Sequence, residues 1–114
     1  MDPTVQQHFT NCAPEVRAIY DSILKESRKF GPVKEDPKKT SIHLMRKNAF
    51  AGIATRKTAM ILTLKSTEDI NDPRIAKHQQ ASARRWYLEI KLSSPGDVNK
   101  RLLDWLKNSY EISG

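Results

Sequence analysis

A chain of 114 residues, 38% of them hydrophobic, is long enough to bury one core without disulfides or metal staples, and its longest apolar runs, such as AMIL, are far too short to span a membrane. One cysteine, Cys12, excludes an internal disulfide framework and fits a reducing cytoplasm; the opening MDPTVQQHF lacks the basic start and apolar stretch of a secretory signal. Twenty Lys and Arg against thirteen Asp and Glu leave a net charge of +7, which points toward an anionic partner.

Residues 3–11 read as a short initial helix with Val5 and Phe9 four apart on one side. A longer helix follows. Pro14 and Glu15 suit a first turn, where a missing N–H costs little and negative charge meets the helix dipole. Val16, Ile19, Tyr20, Ile23 and Leu24 recur at helical spacing before the stop FGP at 30–32. Val33 to Pro37 reads as a connection with a short extended piece.

From Thr40 the period becomes two. In TSIHLMR, Ile42 and Leu44 point one way and Ser41, His43 and Met45 the other. NAFAGIAT is a second strand, whose Gly52 permits a bulge or a close approach. Arg56 and Lys57 form a short connection, so this strand and the next, TAMILTLK, make a hairpin. Met60, Leu62 and Leu64 share a face of the latter against Ala59, Ile61, Thr63 and Lys65. The linking stretch STEDINDPRIAKHQQASAR carries a turn at NDP and a short helical piece from Pro73 to about Ala81. In RWYLEIKL, Trp86, Leu88, Ile90 and Leu92 face inward and Arg85, Tyr87, Glu89 and Lys91 outward. The final helix starts at Ser94, with Pro95 in its first turn and Asp97 completing a capping box, and shows a stripe of Val98, Leu102, Trp105 and Leu106. The expected architecture is one α+β domain over residues 1–114: a mainly antiparallel sheet of about four strands with two main helices packed on one face.

Charge is concentrated in the middle of that order. Residues 38–66 hold seven cations and no acid, while the flanking stretches nearly balance. Two explanations compete. Cations on strands discourage edge-to-edge pairing, and a concentrated basic face attracts an anion. Strand alternation gathers Lys39, Ser41, His43, Thr63, Lys65, Arg85, Tyr87 and Lys91 on the polar side of the sheet, beside the small residues Ala49, Ala51 and Gly52. Cationic and hydroxyl groups around small residues suit a phosphate or carboxylate, through charge-assisted bonds.

The strings HFTNCAPEVRAIYDSIL, KKTSIHLMRKNAFAGI and SSPGDVNKRLLDWLKNSYEISG resemble an uncharacterised family of small bacterial domains, from His8 to about Gly114. The resemblance implies a single compact domain and no activity; relatives are sometimes labelled predicted transport proteins. They tend to have histidine where this chain has Tyr87 or Leu88, so a site built on those histidines is not carried over.

Known chemistries find little support. His8 and Cys12 lie four apart, but Asn11 and Pro14 break the helix that would pair imidazole with thiol, which leaves Cys12 as a packing residue. His8, His43, His78 and Cys12 lack zinc-ligand spacing, no phosphate-cradling glycine loop is present, and Glu68, Asp69 and Asp72 cluster beside a turn. Glu89 reads as the surface ion partner of Lys91. No catalytic constellation, metal or cofactor is expected. The reading is a small, non-enzymatic binding module whose basic sheet face takes a phosphorylated or carboxylated small molecule or a nucleic-acid backbone. Its candidate residues are Lys39, Ser41 and His43, with Lys57, Arg85 and Tyr87 at the rim. One aromatic in the basic segment, Phe50, is few for a single-strand binder. The alternative is an accessory domain that meets an acidic protein partner.

Overall fold

The computed structural model describes residues 4–114. Pro3, the first residue of the expected initial helix, lies outside them, as does the start of MDPTVQQHF. Gln6–Phe9 form a 3-10 turn rather than a longer helix. The first helix, α1, runs Pro14–Arg28, and six strands follow: β1 Lys34–Pro37, β2 Ile42–Met45, β3 Ala49–Thr55, β4 Met60–Ser66, β5 Ile75–Ser82 and β6 Arg85–Leu92. A 3-10 turn at Pro95–Asp97 precedes the last helix, α2, Lys100–Glu111. All neighbouring strands pair antiparallel, in the order β1-β2-β3-β4-β6-β5.

The α+β class and the antiparallel sheet hold, and the strand count rises from four to six. The connection before Pro37 is strand β1, paired with β2. The piece expected to be helical, Pro73 to Ala81, is strand β5. IAKHQQAS contains no helix-breaking residue, but a short polar segment gains little from a helix with no apolar stripe to dock. Pairing along β6 satisfies its backbone instead. Past Ile75 the whole of β5 is exposed, so no buried alternation was available to reveal it.

One core unites both helices with the sheet. Val16, Ile19, Tyr20 and Ile23 from α1 and Leu102, Leu106 and Tyr110 from α2 join Ile42, Leu44, Ile53, Met60, Leu62, Leu64, Leu88, Ile90 and Leu92 from the strands. Trp86 and Trp105 pack against it half-buried. The expected last helix divides in two. Asp97 accepts from the N–H groups of Ser93 and Ser94 at 2.8 and 3.1 Å, as a capping box would, but the chain turns out of helical geometry at Val98. Asn99 then caps α2, its side chain accepting from Leu102 N at 3.1 Å.

A bulge decides how α2 sits. Between Leu44 and Met45 on β2, β3 advances two residues, from Ala51 to Ala49, so Phe50 is the extra one. Alternation would send Phe50 to the polar face. The bulge turns it into the core instead, where it is 1% exposed and meets Tyr110 edge-on at 5.0 Å. The cost of a bulge is a broken ladder, and Ser109 of α2 repairs it. Its hydroxyl accepts from Lys65 N–H at 2.9 Å and donates to Phe50 O at 2.5 Å, bridging β4 to β3 where the strands no longer pair directly. Gly31 lets Tyr110 close against the other side. Its φ of 156° suits glycine, and a Cβ there would collide with the tyrosine oxygen, which donates to Pro32 O at 2.9 Å.

The loop before β5 is tied to the start of α2 by ions. Asp72, 7% exposed, accepts from Arg74 N at 2.9 Å and from Arg101 Nη1 at 2.8 Å. Arg74 reaches on to Asn99 Oδ1 at 3.0 Å and Asp97 O at 2.6 Å. The Arg74 backbone N–H and then the Arg101 guanidinium hold the Asp72 carboxyl below its usual range.

Two outcomes are expected. Ser109→Ala leaves the Lys65 N–H and Phe50 O without a partner in the interior. It should cost about 1–3 kcal/mol for each orphaned group, well above an ordinary Ser→Ala change, as read from the urea midpoint. Asp72 titrates lower folded than unfolded, so its stabilisation is present above the ordinary aspartate value, about 3.9, and disappears as pH falls through the folded value. Asp72→Asn should therefore be less stable than wild type at pH 7, and the two urea curves should converge in strong acid.

Candidate functional site

The basic segment does not lie on an edge. β2, β3 and β4 are the inner strands of the sheet, flanked by β1 on one side and β6 and β5 on the other. The two edges are protected otherwise: β1 is four residues long and ends in Pro37, and β5 carries Lys77, His78 and two register shifts. Of the seven cations in residues 38–66 only Lys65 lies within a strand, and β4 is an inner one, so edge protection does not account for it.

The polar face of these inner strands contains a depression of about 540 Å³. Cross-strand register explains its composition. His43 on β2 stands opposite Gly52 on β3, which stands opposite Thr63 on β4. Further along β4, Lys65 faces Tyr87 of β6. Ser41, just ahead of β2, completes the polar wall, while Ala49, Ala51, Gly52 and Ala54 make a small-residue floor. A Cβ built on Gly52 would meet only Thr63 Cβ, at an ordinary 3.6 Å, so the space above it is open. Among the described residues, no Asp or Glu lines the depression.

Lys65 is the cation in this wall. Its backbone N–H is held by Ser109, which fixes where the side chain leaves the strand. Among the described residues, its ammonium has no hydrogen bond or ion pair. Burial, chiefly, and then the Arg85 guanidinium push its pKa below the usual lysine value. The nearest acid by register, Glu89, is opposite Thr63 and turns to Lys77 of β5 at 3.9 Å. That replaces the expected Glu89–Lys91 pair. The reason is geometric, because Lys77 lies directly across the ladder from Glu89.

The six residues singled out from sequence divide accordingly. Ser41, His43 and Tyr87 line this depression, and Arg85 acts on it through the charge of Lys65. Lys39 and Lys57 do not. Both are exposed, and with His8, Arg56 and Thr55 they line a second, more open depression of about 800 Å³ by the β3–β4 turn. Other cations of the segment have structural work. Lys38 pairs with Asp36 at 2.9 Å, and Arg46 lies 4.6 Å over the Tyr110 ring while donating to Tyr110 O at the end of α2. Phe50 is in the core and unavailable for stacking on a base.

His8 and Cys12 make separate bonds. The imidazole Nε2 meets Lys38 O at 2.8 Å, and the Cys12 thiol donates to His8 O at 3.3 Å, so no imidazole–thiol pair forms. Asp69 contacts His78 at 2.5 Å, and Asp72 is part of the loop anchor. Among the described residues no three His, Cys, Asp or Glu side chains are gathered to hold a metal, and no helix is long and apolar enough to cross a membrane. Strand alternation places Lys65 and Thr63 on the side of this depression, whereas charge density along the chain points to Lys39, which lines the other. On an inner strand a neighbour on each side builds a wall around the cation, which a turn does not provide.

No curated protein and no solved structure matches the chain. The sequence does match, over residues 5–113, the family described as Domain of unknown function (DUF5655), which spans both helices, all six strands and the depression on the open face of the sheet. The chain belongs to that family.

Proposed function

We propose that the open face of β2, β3, β4 and β6 binds a small organic anion, with Lys65 as the charge partner and Ser41, His43, Thr63 and Tyr87 as hydrogen-bonding groups. The observation that carries this reading is a partly buried ammonium, without a partner among the described residues, in the wall of an acid-free depression. An unpaired charge in partial burial is costly, and an incoming carboxylate or phosphate supplies the missing counter-charge. The small floor favours a compact apolar body behind the anionic group, because Gly52 and the alanines leave contact area without polar side-chain atoms of their own.

The second depression supports the nucleic-acid or acidic-partner reading less well. Lys39, Arg56 and Lys57 are exposed and solvated, and the aromatic that a single-strand binder would use is in the core.

Backbone amide NMR with benzoate, inorganic phosphate and a short single-stranded DNA separates these readings. Benzoate or phosphate should shift Ser41, His43, Gly52, Thr63, Lys65 and Tyr87 together. Lys65→Met should weaken binding about tenfold or more, the worth of one charge-assisted bond. Gly52→Val should fill the floor and abolish binding with the melting temperature preserved, and Lys39→Glu should leave affinity within about twofold. Shifts confined to Lys39, Arg56 and Lys57, seen with DNA alone and collapsing steeply with salt, would give the site to the second depression.

A further inference from the structure

We propose that Lys65 is a nucleophile as well as a charge partner: its ε-amine condenses with the carbonyl of a small oxo-acid, such as a 2-oxo carboxylate, to form an imine in the depression. This rests on the binding reading above and deepens it by naming the ligand's reactive group.

Three features of the geometry support it. The first is that Lys65 lacks the carboxylate that would hold a lysine in its charged, unreactive form; among the described residues no acid lines the depression. Its surroundings are the second. A lysine becomes a nucleophile when it is desolvated or set beside another cation; Lys65 is partly buried, and Arg85 stands on the neighbouring strand. An ordinary lysine keeps only on the order of one amine in a thousand neutral at pH 7, so lowering its pKa directly raises the reactive fraction. The titratable and charged groups facing Lys65 are His43 on β2 and Arg85, Tyr87 and Glu89 on β6, and Glu89 is turned toward Lys77 of β5. The third feature is Tyr87, whose backbone lies directly across the ladder from Lys65, and His43; both line the depression and have side chains able to carry a proton.

The chemistry balances without an oxidant or reductant. The neutral amine donates its lone pair to the carbonyl carbon, the C–N bond forms, and the carbonyl π pair moves to oxygen. That oxygen takes a proton from Tyr87 or His43 while the nitrogen gives one up. The carbinolamine then expels its hydroxyl, protonated, as water, and the C=N bond closes. Arg85 and the hydroxyls of Ser41 and Thr63 remain for the carboxylate of the same molecule.

The test uses the whole chain, glyoxylate and sodium cyanoborohydride at pH 7.5, with peptide mass mapping. Cyanoborohydride reduces the imine and leaves a stable carboxymethyl adduct. Of twelve lysines, Lys65 should be modified at least tenfold faster than each of the other eleven. Tyr87→Phe should slow trapping at least fivefold at saturating glyoxylate, where weaker binding no longer sets the rate. Lys65→Arg keeps a cation in the wall without the nucleophile, so it should lose the fast adduct. An equal spread of adducts over the surface lysines would overturn the inference. If benzoate still shifts the depression in that case, the binding reading stands alone; if it does not, both fail.

Discussion

One hydroxyl group joins the interior of this domain to its open face. Ser109 is fully buried on α2 and bonds at once to Phe50 O on β3 and Lys65 N–H on β4. Without it, the bulge that swings Phe50 into the core would leave two backbone groups unpaired in the interior, a cost that native structures rarely bear. With it, the same residue docks the helix, completes the ladder and fixes the point from which Lys65 departs. Core and depression are therefore not separate problems in this fold.

Much of the architecture was legible because most elements bury one side. The stripe of α1 and the alternations of β2, β4 and β6 show directly in their apolar spacing, and each is seen in the core. What was not legible has a common physical origin. β5 buries only Ile75, so its strand character comes from hydrogen bonds to β6 and leaves no trace in hydropathy. The division at Val98 depends on Asn99 outcompeting Ser94 as the cap of α2, a balance of local bonds that the capping-box pattern alone does not reveal. Phe50 lies inward because of a register shift, and register is a property of two strands together.

The candidate site follows the same division. Alternation puts Ser41, His43, Tyr87, Thr63 and Lys65 on one face because a period of two needs no partner to be read. It puts Lys39 with them because that residue continues the same alternation, although the chain lies outside the strand at that point and turns toward His8, whose ring meets Lys38 O. Arg46 shows the other limit of reading charge linearly. It belongs to the acid-free run, but its guanidinium is spent on the Tyr110 ring and the last carbonyls of α2. Of the seven cations in that run, Lys65 alone lines the depression.

The β5–β6 hairpin has a mechanical consequence. Local opening is easiest where few apolar contacts are broken and most backbone bonds face solvent. β5 meets that description from Ala76 onward, and its attachment to the body is Ile75, the Asp72 loop and the hydrogen bonds to β6. The outer end of β6, which holds Arg85 and Tyr87, thus has β4 as a firm neighbour on one side and a compliant one on the other. Amide exchange should grade across the sheet accordingly, slowest in β3 and β4 and fastest along β5. The depression thus has one stiff wall, from which Lys65 departs, and one that yields.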